Sequence, residues 1–166
     1  MKIAISIIFI FVLLLSNNAW ATLAFNSALQ TEINFGAALL PTSGTTQIVV
    51  TPNGTLGGGT TATMISSQSG TVTNGSIYIY RTAATASTLM QISFTNNGNV
   101  PGLTLSNFTG VWRGVSFTNT GTNLVIPSTN STGAANQLVW GATLTIASTA
   151  VSGPRSPNYT LEALYQ

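Results

Sequence analysis

Cysteine, histidine and aspartate are absent from this chain, and beyond residue 21 its only charged side chains are Arg81, Arg113, Arg155, Glu32 and Glu162. Without cysteine there is no disulfide framework and no thiol for lipid attachment. General acid–base catalysis draws mainly on His, Asp, Glu, Lys, Cys and Tyr, and most of that inventory is missing. A serine nucleophile would have neither His nor Lys to activate it, and tight zinc sites use ligands this chain lacks. A calcium cage would rest on two distant glutamates, carbonyls and amides. Glu32 and Glu162 form the one conceivable carboxylate pair, but they fall in the first and last expected strands, where two solvent-facing residues are the simpler reading. Gly57-Gly58-Gly59 lacks the Gly-Lys-Ser/Thr signature and a following helical pattern, so it reads as a loop and not a phosphate cradle. No catalytic residue, metal or cofactor is expected, and the chain is not expected to be an enzyme.

Three arginines against two glutamates leave a net charge of +1 after residue 21. So few scattered cations do not make a nucleic-acid surface, which needs a cluster to displace counterions from phosphates. Charged residues make up 4% of the chain, where about a quarter is usual. Thr, Ser, Asn and Gly fill the polar positions instead. Such a surface lacks the like-charge repulsion that keeps monomers apart. It suits either an extracellular setting or a protein that packs against copies of itself.

The start of the chain reads as a signal peptide. Met1-Lys2 is a positive start, Ile3 to Leu15 is almost unbroken apolar sequence, and Ala19-Trp20-Ala21 is an A-x-A cleavage pattern. The apolar run is shorter than the about 20 residues that span a bilayer. Residues 1–21 are therefore assigned to a cleaved signal peptide and 22–166 to a single secreted domain. No integral membrane segment is expected after cleavage. Asn-x-Ser/Thr triplets at Asn53, Asn74, Asn107, Asn130 and Asn158 matter only in a host that glycosylates exported proteins.

No window after residue 21 sustains a 3.6-residue apolar period. Short β-branched and aromatic runs recur between Gly, Asn, Pro and Ser. Strands are expected near Leu23–Phe35, Thr45–Thr51, Ser76–Thr82, Thr88–Thr95, Val111–Thr118, Asn123–Ile126, Gln137–Ala147 and Asn158–Gln166. Turns are expected at Thr51-Pro-Asn-Gly54, Thr95-Asn-Asn-Gly98 and Thr118-Asn-Thr-Gly121, because Asn and Gly tolerate positive φ. Met90, Ile92 and Phe94 alternate with polar residues, as do Leu138, Trp140, Ala142, Leu144 and Ile146, so each run has one buried face. In Ile77-Tyr78-Ile79-Tyr80 the isoleucines are expected in the core. The segment from Gln47 to Gly75, with sparse apolar residues, reads as a flexible excursion carrying a short hairpin. About 7–9 strands in one all-β domain point to an immunoglobulin-like, two-sheet antiparallel β-sandwich.

Ile33-Asn-Phe-Gly36, Gln47-Ile-Val-Val-Thr-Pro-Asn-Gly54, Ile92-Ser-Phe-Thr-Asn-Asn-Gly98 and Trp140-Gly-Ala-Thr-Leu-Thr-Ile146, followed by a Gly-containing loop and a Tyr-bounded last strand, resemble the bacterial exported domain-of-unknown-function family 4402. The resemblance implies a small β-sandwich of bacterial surfaces with no established reaction. Trp140 and Ala142 depart from the family's usual Val or Leu and second Gly, and Pro154 and Pro157 interrupt the last loop. The C-terminus is also similar to that of chaperone–usher pilins. Tyr165 stands one place before the end and Gly153 about a dozen residues earlier, although the disulfide common in those pilins is absent.

Leu23, Phe25, Leu29, Ile33 and Phe35 fall on one face of an extended segment. Residues 22–31 are thus a candidate donor arm that would complete the sheet of a neighbouring copy. Full burial of Leu23, Phe25 and Leu29 would contribute about 5–9 kcal/mol before ordering costs, comparable with a typical domain's entire stability. The leading expectation is a non-enzymatic, pilin-like structural subunit, reaching the cell surface or medium through the periplasm. Its partners would be copies of itself or related subunits, with a periplasmic chaperone and an outer-membrane usher, and its candidate interaction residues Leu23, Phe25, Leu29, Gly153 and Tyr165. The alternative is a self-contained carbohydrate-binding or adhesin module that stacks sugars on Tyr78, Tyr80, Trp112 or Trp140.

Overall fold

A computed structural model describes residues 21–64, 71–98 and 100–166. Apart from Ala21, the signal peptide expected at 1–21 lies outside them. The described chain forms nine strands: β1 (Leu23–Thr31), β2 (Thr45–Val50), β3 (Gly75–Arg81), β4 (Leu89–Gly98), β5 (Leu103–Trp112), β6 (Val115–Thr118), β7 (Thr120–Val125), β8 (Gln137–Ala147) and β9 (Asn158–Tyr165). All pairings are antiparallel, in the order β1-β3-β8-β5-β6-β7-β4-β9, with β2 beside β8. The ladder is thinnest between β6 and β7, joined only through Thr118 and Thr120. There it folds over into two packed sheets, β1-β3-β8-β5-β6 with β2, and β7-β4-β9.

Central β8 holds the first sheet together. β5 runs along one side, while β2 and β3 share the other end to end, β3 against Gln137 to Trp140 and β2 against Ala142 to Ala147. The alternation anticipated for β8 matches its buried face, since Leu138, Trp140, Ala142, Leu144 and Ile146 all enter the core. Met90, Ile92 and Phe94 face them from the second sheet, and Ile77 and Ile79 are buried as expected. The centre is aromatic: Phe94 stacks on Phe108 at 5.1 Å, and Tyr159 lies 5.2 Å from Phe108 and 6.4 Å from Trp140 between ring centroids.

Several expectations are corrected. The strand expected at Leu23–Phe35 ends at Thr31, and the one at Val111–Thr118 is a hairpin. Trp112 pairs with Val115 across Arg113 (φ 49°) and Gly114 (φ 80°), the two-residue turn whose positive φ values match strand twist. Thr95-Asn-Asn-Gly98 is not a turn. It continues β4, with Asn96 opposite Tyr159 and Gly98 opposite Asn158, and the chain reverses at Val100–Leu103 instead. The first half of β5 escaped the sequence reading for a physical reason. Between Ser106 and Thr109, three residue steps on β5 match two on β8, with Asn107 at φ 48°. This bulge moves the buried positions from Leu105 to Phe108, Gly110 and Trp112, so no single period of two runs through the strand.

The segment after β2 is no excursion over its described residues. It turns at Thr51–Gly54 and folds back along β2. The N–H groups of Gln47 and Val49 donate to Thr61 Oγ1 and Thr60 Oγ1, while the carbonyls of Gln47 and Val49 accept from Thr61, Ala62 and Gly57. The outer edge of β2 is thereby covered by its own loop, a common protection against edge-to-edge pairing.

Gly75 opens β3 where a Cβ would come within 2.2 Å of Cε2 in the indole of Trp140. Overpacking of this kind costs about 1–3 kcal/mol. Gly75→Ala should lower the stability of the chain from Thr22 onward by that amount, read from the urea midpoint at unchanged m-value.

Candidate functional site: the seam between β1 and β9

β1 and β9 are the two ends of the strand order, and among the described residues each pairs on one side only, β1 with β3 and β9 with β4. Register fixes which backbone groups are left over. Thr82 N–H bonds the carbonyl of Thr22, and Gln166 N–H bonds that of Leu89. Bonded positions alternate in an antiparallel ladder. The N–H groups of Leu23 and Phe25 on β1, and of Leu161 and Ala163 on β9, therefore point away from their partner strands. Among the described residues, no loop is paired to these two edges as residues 57–62 are to β2.

The edges face one another across a groove of about 600 Å³, with Ile77, Trp140 and Leu161 along its apolar part and Phe25, Gln30, Glu32 and Asn158 among its other lining residues. A smaller cavity of about 170 Å³, lined by Ile33, Phe35, Leu105, Leu144 and Arg155, lies alongside. Glu32, Ser156, Pro157 and Tyr159 line both.

One polar chain crosses the seam. Trp140 Nε1 donates to Tyr159 Oη (3.2 Å), Tyr159 Oη donates to Glu32 Oε2 (2.6 Å), and Gln30 Nε2 donates to Glu32 Oε1. Glu32, expected to be a solvent-facing strand residue, is exposed but lies one residue past β1, where it ties the end of the N-terminal arm to β9. Burial chiefly, then the hydrogen bond to Glu32 and its negative charge, hold the Tyr159 phenol well above its usual range, partly offset by the Trp140 N–H. Glu162 stands on the opposite, exposed face of β9. Among the described residues no three His, Cys, Asp or Glu side chains come together.

The structure brings only some of the sequence-proposed interaction residues to the seam. The arm 22–31 docks in its own domain, as β1. Leu23 packs partly on the core, and Phe25 lines the groove with 36% of its surface exposed. Leu29 does not share their face. Between Asn26 and Thr31 the arm takes five residue steps against two on β3, and this irregularity leaves Leu29 45% exposed and outside the groove lining. Gly153 sits at φ 112° in the loop before β9. Tyr165 pairs with Met90, its hydroxyl buried without a hydrogen-bond partner among the described residues.

The proposed sugar platform divides. Tyr78 and Tyr80 are partly exposed on the face of β3 opposite the buried isoleucines. Trp112 is fully buried, with its indole N–H donating to the Val125 carbonyl at 2.8 Å, and Trp140 is equally enclosed. Neither indole offers a face to a sugar, which corrects that assignment. The Glu32–Tyr159 contact spans 127 positions, and no local pattern signals it. No family model, curated protein or solved structure matches the chain.

The Tyr159 shift has a defined sign. A phenol raised above its unfolded value of about 10 stabilises the fold fully below that pH, and the contribution is lost as pH rises from about 10 through the folded value. Stability measured by urea unfolding should begin to fall as the pH rises past about 10 and go on falling above it, and Tyr159→Phe should show a shallower fall.

Proposed function

We propose that this protein is a non-enzymatic, exported structural subunit with an immunoglobulin-like sandwich, assembling with copies of itself by strand addition at the β1–β9 seam. The observation that carries the reading is the contrast between edges: β2 is covered by its own Thr60–Thr61 loop, whereas among the described residues β1 and β9 each pair on one side only, beside a groove of mixed polar and apolar lining. Strand addition uses both features, the backbone for affinity and the groove for side-chain selection. The arm's partial exposure at Phe25, which lines the groove, adds support, because a second copy would remove this surface from water. The sparse charge lowers the electrostatic cost of bringing copies together. The similarity of the Tyr165 terminus to chaperone–usher pilins agrees with the reading, and a periplasmic chaperone and an outer-membrane usher are its expected assembly partners.

A second reading, a secreted carbohydrate-binding module, draws on Tyr78 and Tyr80. They stand two residues apart on one strand face and are partly exposed. Aromatic rings so arranged suit stacking against a sugar.

A proline at an outward-facing edge position removes only the donor offered to a newcomer. Ala163→Pro should therefore leave a folded monomer and abolish concentration-dependent association in sedimentation velocity, whereas the chain from Thr22 onward associates. Equal association of the two proteins would reject the seam as the contact. A parent chain that stays monomeric at every concentration, yet binds a glycan through Tyr78 and Tyr80, would favour the second reading.

A further inference from the structure

We infer that the Glu32–Tyr159 hydrogen bond is a gate on the seam, and that a strand from a second copy enters fully only when this bond breaks. The inference rests on the strand-addition reading and adds a regulating contact to it. The bond lies where the two cavities meet, with Glu32 and Tyr159 lining both. While it holds, the space beside β9 is divided into a groove under Phe25, Ile77 and Leu161 and a pocket under Phe35, Leu105 and Leu144. An added strand rises about 3.3 Å per residue and needs a continuous channel along the edge it joins. Parting of the carboxylate and the phenol merges the two spaces into one.

The two sides of the gate are mounted differently. The Tyr159 ring is fixed by Phe94, Phe108 and Trp140, and its hydroxyl accepts from the Trp140 indole. Glu32 lies on exposed chain just beyond β1, buttressed by Gln30 and preceded by the irregular stretch between Asn26 and Thr31. The arm is therefore the moving side and β9 the fixed side. With a carboxylate as its acceptor, this bond is also charge-assisted.

The test compares association rates of the chain from Thr22 onward, followed by light scattering after a concentration jump. Tyr159→Phe keeps the ring packing and removes the hydroxyl. Glu32→Ala removes the acceptor from an exposed position and keeps the fold testable should the tyrosine variant misfold. Each variant should associate about tenfold faster than the parent, the scale set by one lost hydrogen bond to a charged group. The double variant should be no faster than either single one, because both break the same bond. Folded variants that associate at the parent rate or more slowly, or a double variant with the product of the single effects, would overturn the gate. If the parent associates and Ala163→Pro does not, such a result removes the gate alone. If parent, Ala163→Pro and gate variants all stay monomeric, strand addition falls and the gate with it.

Discussion

Every backbone N–H and C=O in a sheet must find a partner or water, and this fold depends on how that demand is met at three edges. At β2 it is met internally, by threonine hydroxyls and the returning loop. At β1 and β9 it is met on one side only. The strand order begins and ends at these two elements, which face one another along a common seam. Among the described residues, the contact of Tyr159 with Glu32 ties the seam where no ladder does.

The core makes this arrangement stable without disulfides. Phe94, Phe108, Trp140 and Tyr159 form one aromatic cluster linking β4, β5, β8 and β9. Tyr159 belongs both to that cluster and to the seam, so the open edge is attached to the best-packed part of the molecule. Away from the seam, order comes from neutral polar groups. Asn136 is fully buried and accepts from Arg113 Nη2 and Ser128 N–H while donating to the carbonyls of Ser128 and Asn130 and to the Ser128 hydroxyl. In a chain with so few charges, amides and hydroxyls do the work that ion pairs do elsewhere.

Much of this architecture was legible in the sequence where geometry is regular. β8 was readable to the residue because nothing interrupts its alternation, and β3 because isoleucines and tyrosines occupy opposite faces. β5 was hidden by the bulge at Asn107, which shifts its buried residues out of phase. The β5–β6 turn was hidden because Arg113 adopts a positive φ usually left to Asn, Asp or Gly. At the seam, the edge character of both ends could be anticipated from apolar alternation that runs into β9 and out of the arm. The Glu32–Tyr159 tie could not, because it depends on how two sheets meet. Leu29 was misplaced for a similar reason: extra residues between Asn26 and Thr31 take it off the face shared by Leu23 and Phe25.

The central claim is that both terminal strands keep an open backbone edge and that a strand of a second copy adds to the one at β9. Residue-resolved amide exchange in dilute and in concentrated protein tests it most directly. The account predicts rapid exchange at Leu23, Phe25, Leu161 and Ala163 in dilute solution beside protected neighbours at Ala24, Asn26, Glu162 and Leu164, with Leu161 and Ala163 becoming protected on concentration. Uniform protection of both strands in dilute solution, or exchange at Leu161 and Ala163 that does not change on concentration, would contradict it.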